Sequence, residues 1–240
     1  MSSCRLIHWL AIMLKCLKEA TGTRHAALER RLPLLNADLT SATYQQFVHK
    51  LFGFYEPLEA KLSTLPRSQA VGVDYALRHK TPRLRQDLRV LGLSDHAISA
   101  LPRCRLLPPL TSEAQLWGCL YVIEGATLGG QIILKNLHRN IGLTASSGAS
   151  FFDGYGAQTG SHWKAFCAAL TARGTDAVGG REELLRSANQ TFDALGAWLF
   201  PGFPTRSELD LAKSPAAPAI AELSRLPPPA PTTAHDTAHE

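Results

Sequence analysis

Leu17-Lys18-Glu19-Ala20-Thr21-Gly22-Thr23-Arg24-His25-Ala26-Ala27-Leu28-Glu29 is the stretch on which the reading of this chain turns. It holds no proline and reads as the second half of a helix running from about Arg5 to Arg31 and stopping before Pro33. Residues four and seven apart align on a helix, so Lys18, Gly22, His25 and Glu29 share one face. A carboxylate one turn after a histidine can accept one ring N–H, which fixes the tautomer and frees the other nitrogen as a ligand. The neighbouring residues on that face, Gly22 and Ala26, are small enough to admit a flat group.

Working outward, Thr40 is an N-cap for a second helix with Tyr44, Phe47, Leu51, Phe54, Leu58 and Leu62 at helical spacing. Thr81-Pro82 starts a short helix to about Leu91, Ser94 starts another that ends at Pro102, and residues 105–110 form a connector. The pattern is helical again from Thr111 to about Leu137. The stretch Gly142 to Gly156 reads as a loop, and helices fit Thr159–Arg173 and Arg181–Leu199. The fold is therefore all-α.

The segment Leu6–Leu14 is apolar apart from His8, but it is too short to span a bilayer, which takes ~20 residues, and no small-residue cleavage site follows. It reads as the buried start of the first helix. After Phe200 the composition changes, with eight of the 15 prolines in the last forty residues. We read residues 1–200 as one helical domain and 201–240 as a largely disordered tail with a possible helical turn around Ile220–Leu226. The His235 to His239 end is a solvated tail.

The helix from Thr111 carries four glycines, Gly118, Gly125, Gly129 and Gly130. Each costs about 1 kcal/mol relative to alanine, so something must offset them. Tyr121, Gly125 and Gly129 share a face where absent side chains would let backbone lie against a flat ligand. Close helix packing, or two shorter helices joined at Gly129-Gly130, would explain the glycines equally.

Of 240 residues, 45% are hydrophobic and 19% charged, with a net charge of +5 and a pI near 9.1. No helix joins basic residues to interleaved aromatics, which argues against nucleic acid. The odd set Cys4, Cys16, Cys104, Cys119 and Cys167, without a CxxC, reads as reduced thiols in a cytoplasmic protein. No Glu-x-x-His pair occurs, which argues against a helical di-iron site. His25 is then either an ordinary core or surface histidine, or an imidazole ligand for a planar metal complex such as haem.

Together the motifs resemble one family. Leu17–Glu29 is similar to the proximal helix of haem oxygenases, and Tyr121-Val122-Ile123-Glu124-Gly125-Ala126-Thr127-Leu128-Gly129-Gly130-Gln131 to their distal helix. Phe151-Phe152-Asp153-Gly154-Tyr155-Gly156, followed by Thr159-Gly160-Ser161-His162-Trp163, resembles the bacterial, bacteriophytochrome-associated branch. The resemblance covers roughly residues 15 to 200. It implies a single helical domain with haem between the proximal helix and a glycine-kinked distal helix.

It also implies that haem is both substrate and cofactor, cleaved with O2 and external electrons to biliverdin, CO and Fe2+. Within it, His25 is the iron ligand and Glu29 its partner; Gly125 and Gly129 form the distal wall. Lys18, Tyr121 and Lys164 are propionate-side groups, with Gly130 and Phe192 as ring contacts. Implied partners are a ferredoxin or reductase as electron donor and a bacteriophytochrome as biliverdin acceptor, with no nucleic acid and no membrane. The alternative is a haem carrier or storage protein with the same pocket. In the animal branch an aspartate follows the first distal glycine and organises proton delivery; here that position is Ala126.

Overall fold

The computed structural model describes residues 3–64, 74–172 and 178–212, and all regular structure among them is helical. The main helices are α1 (Ser3–Glu29), α2 (Ser41–Ser63), α3 (Thr81–Val90), α4 (Asp95–Ala100), α5 (Glu113–Ile141), α6 (Ser150–Asp153), α7 (Thr159–Ala172), α8 (Val178–Leu199) and α9 (Arg206–Leu211). Side chains before Ile12 lie outside the described residues, and with them most of the Leu6–Leu14 run; Met13 is buried and Ile12 exposed.

Starts are set by caps. The side chains of Thr40, Ser94 and Ser112 accept the N–H of Thr43, Ala97 and Gln115 at 3.1, 3.2 and 3.2 Å. Thr81 was expected to cap α3, but it occupies the first helical position and its hydroxyl has no partner among the described residues. Glu59 of α2 does that work instead, accepting the backbone N–H of Lys80 at 2.7 Å and of Thr81 at 2.9 Å. The Gly142–Gly156 loop contains a turn of helix, α6, because Asp87 accepts the N–H of both Ser150 and Phe151 at 2.8 Å.

Pro57 lies inside α2 without ending it. Its missing N–H frees the carbonyl of Gly53, which accepts from the Cys104 N–H at 2.9 Å. The connector after α4 is thereby pinned to the middle of α2.

At the centre, α5 packs along α8, and α1 lies across α8 and α7. The six α2 residues expected in the core, Tyr44, Phe47, Leu51, Phe54, Leu58 and Leu62, are all buried. Among the described residues α5 alone is long and apolar enough to cross a membrane; more than half of that window (56%) is buried inside the fold, as in a core helix. The thiols of Cys16, Cys104, Cys119 and Cys167 are free.

The packed domain continues beyond residue 200, where the tail was expected to begin. Phe203 and Leu209 bury against Ala27, and Asp210 pairs with Arg24 at 2.7 Å. The sequence signal misled there because prolines in a short connector have the composition of a disordered tail. The expectations for residues 213–240 fall outside the described residues.

Candidate functional site

The site grows from a contact between α1 and α5. The Tyr121 phenol hydrogen-bonds with the Thr21 hydroxyl. One turn further along each helix come His25 and Gly125, where side chains thin out. A Cβ at Gly22 would meet nothing within 4 Å, and one at Gly125 would reach only the Trp163 ring at 3.7 Å. Gly129 is partly exposed. Both helices carry little side-chain bulk at this corner.

His25 stands in it with its side chain 47% exposed. Its ring packs edge-on against Phe192 of α8, centroids 5.7 Å apart at 84°. Nδ1 lies 3.5 Å from Oε1 of Glu29, and Nε2 has no hydrogen-bond partner among the described residues. That carboxyl oxygen is buried and has no hydrogen-bond partner among the described residues, so the acceptor for an imidazole N–H is in place. Burial pushes the Glu29 carboxyl up from the usual carboxylate range, and the neighbouring His25 partly reverses the effect. Arg24, next in sequence, is buried and holds Asp193 of α8 at 2.8 Å, fixing the helix that carries the imidazole.

The remaining predicted residues sort by what they touch. Tyr121 closes the floor with Thr21 and stacks obliquely on Trp163, centroids 5.9 Å apart. Lys18 and Lys164 are exposed and have no ion-pair partner among the described residues.

The four glycines divide. A Cβ at Gly118 would come within 2.8 Å of Ala188 N and Ser187 Cβ, so this glycine lets α8 lie directly on α5. At Gly130 it would come within 3.2 Å of the Phe152 carbonyl carbon, so Gly130, predicted to touch the ligand, is occupied by the contact with α6. Gly125 has no such contact. The helix is continuous through all four, which excludes two shorter helices joined at Gly129-Gly130.

Sequence reasoning missed a buried ionic cluster on another side of α5. Glu124 is 1% exposed. It accepts from Arg78 at 2.5 Å, from Lys80, and from the Tyr155 hydroxyl, which is 3.0 Å from each carboxylate oxygen. Tyr155 stacks on His162 with centroids 4.1 Å apart. The one sequence signal was a glutamate in the apolar middle of α5; its partners lie some thirty to fifty residues away in the chain. No group of three or more metal-ligating side chains occurs among the described residues.

The site is thus an imidazole on one helix near a glycine-bearing stretch of another, in a protein whose described regular structure is helical. Residues 12–199 match the family model for haem oxygenase, and the chain belongs to that family. Over 105 residues it is 41% identical to a haem oxygenase of Xanthomonas campestris pv. campestris (strain 8004), a match covering 44% of this chain. That match spans 56% of the relative's own length. The fold is shared with the haem oxygenase of Neisseria meningitidis, solved with NO and CO bound: TM-score 0.66, 20% identity, 86% of this chain and 96% of that one covered.

Proposed function

We propose that this protein opens haem oxidatively, converting haem, O2 and externally supplied electrons to biliverdin, CO and Fe2+. The observation that carries this reading is the pairing of His25 and Glu29 at the open corner. The buried carboxylate oxygen is the acceptor available to an Nδ1 proton, and taking it would leave Nε2 as a neutral donor of the kind that ligates haem iron. Phe192 stops the ring from turning. The residues fit the group: the space above Gly22 accepts a flat ring, and a dianionic edge would find Lys18, Lys164 and the Tyr121 hydroxyl as cationic and polar partners.

When bound, haem supplies the redox chemistry. His25 would hold the iron through a neutral imidazole, which lacks the electron push toward O–O cleavage that a thiolate gives. Gly125 would leave room for O2, with the Trp163 ring 3.7 Å from where its Cβ would stand, and partly exposed Gly129 would do the same one turn on. A soluble donor such as a ferredoxin or a reductase supplies the electrons. A bacteriophytochrome is a fitting acceptor for the product, since Phe151–Gly156 and Thr159–Trp163 resemble that branch. The cytoplasm, where thiols stay reduced, suits the free cysteines.

The test is aerobic turnover. Purified protein with one equivalent of haemin, then ascorbate or a reductase system in air, loses its haem absorption and gains that of biliverdin. A carrier with the same pocket would bind haemin and keep it intact.

A further inference from the structure

Two neighbouring residues of α1 are held by two neighbouring residues of α8. The His25 ring packs edge-on against Phe192, and Arg24 Nε donates to Asp193 Oδ1 at 2.8 Å. Together they fix the register of the two helices at the turn that carries the imidazole. The other edge of the same guanidinium is taken by α9, where Nη2 donates to Asp210 Oδ1 at 2.7 Å. Arg24 is 4% exposed, and these two carboxylates compensate its charge.

α9 grips the back of that turn. Thr23 and Ala27 lie about 160° around the helix from His25. Phe203 and Leu209 bury against Ala27, and the Thr23 hydroxyl donates to the Ala212 carbonyl at 3.4 Å. A capping box starts α9: Thr205 Oγ1 accepts the Glu208 N–H at 3.4 Å, and the Glu208 carboxylate accepts the Thr205 N–H at 2.7 Å. Leu209, Phe203 and Ala27 form a cluster separate from the main core, and the Asp210 side chain is 53% exposed. A six-residue helix held in this way opens at a free energy well below that of global unfolding. Segments of that kind are the ones whose position ligand binding can shift.

We propose that α9 is a strap coupled to the ligand site. Docked, with Asp210 on Arg24, it holds the turn of α1 at which His25 meets Phe192, and haem held by His25 in turn keeps α9 docked. Asp210 is a positioning residue that acts through Arg24. The inference rests on haem being the ligand of His25. Linkage makes the coupling reciprocal: α9 tightens haem by the same factor as haem tightens α9.

The test uses the full chain, with and without haemin. Asp210→Asn removes the charge, and Asp210→Glu keeps it. Leu209→Ala combined with Asp210→Asn undocks the strap. Leu211→Ala, at a neighbour that is 82% exposed, is the control. Transfer of haemin to excess apomyoglobin reads its release. Asp210→Asn releases haemin about threefold faster, the scale of a half-exposed ion pair. The double variant releases it about tenfold faster or more, within the range of about 5–150-fold usual for coupled sites. Asp210→Glu and Leu211→Ala stay near the wild-type rate. In the wild type, amide hydrogen exchange at residues 206–212 slows when haemin binds. In the unloaded double variant, exchange quickens at residues 23–29 but not in α2, which a general loss of stability would not produce. If the double variant does not fold, the haemin-dependent exchange of the wild type and the release rate of Asp210→Asn decide. Exchange at 206–212 that ignores haemin, or release from Asp210→Asn at the wild-type rate, overturns the coupling and leaves the haem reading standing. A wild type that binds no haemin overturns both.

Discussion

The division of the glycines on α5 makes a signed prediction about stability. Replacing glycine by alanine inside a helix gains about 1 kcal/mol of helix propensity. At Gly125 the new methyl would meet the Trp163 ring at 3.7 Å, an ordinary contact, so the gain survives. At Gly118 the methyl would press within 2.8 Å of Ala188 N and Ser187 Cβ, and closer still to the Leu184 carbonyl oxygen. Two of those three atoms are backbone, so α8 as a whole must move. Overpacking of that kind costs about 1–3 kcal/mol, which outweighs the propensity gain. For a domain of this size 1 kcal/mol moves the melting midpoint by about 2–4 °C. Thermal melts of the unloaded protein, followed by far-ultraviolet circular dichroism, should place Gly125→Ala a few degrees above wild type and Gly118→Ala below it. A Gly125→Ala protein that melts as low as Gly118→Ala would mean that Gly125 is a packing residue, and the claim that its empty side is kept for a ligand would fail.

Removing residues 206–240 should lower the melting midpoint by several degrees relative to removing 213–240, because the longer cut also deletes buried Leu209 and the Asp210 partner of Arg24; equal midpoints would show that α9 contributes nothing. Burial pushes the Cys119 and Cys167 thiols up to about 12. At about pH 8 roughly one part in ten thousand is then thiolate, so an alkylating reagent should leave both unmodified until the protein unfolds; rapid labelling of either in the native state would contradict their burial. Gly129→Leu should keep haem on His25 but stop biliverdin formation, with helical content unchanged, as read by single-turnover spectra; wild-type turnover would remove this glycine from the site.

Much of the fold was legible because helix caps and apolar spacing are local. Thr40, Ser94 and Ser112 each begin a helix where a hydroxyl can reach an N–H three residues on. The start of α3 was misread because its cap comes from Glu59, twenty-two residues away from Thr81, and no local pattern announces it. The His25–Glu29 pair was legible for the same reason as the caps, since a four-residue spacing fixes proximity. The roles of the glycines were not. Gly118 and Gly125 look alike in sequence, and only the position of α8 tells which one a neighbour fills. The Glu124–Lys80–Tyr155 cluster was invisible because chain topology, not spacing, brings its members together.

The central claim is that His25 is the residue through which this chain holds haem iron. Resonance Raman of the ferrous haem-loaded protein measures that bond directly. The account predicts an iron–histidine stretch in the wild type that is absent in His25→Ala, because no other residue on that face of α1 can replace the imidazole. The same stretch, unshifted, in His25→Ala would show that a different histidine holds the iron and would contradict the site described above.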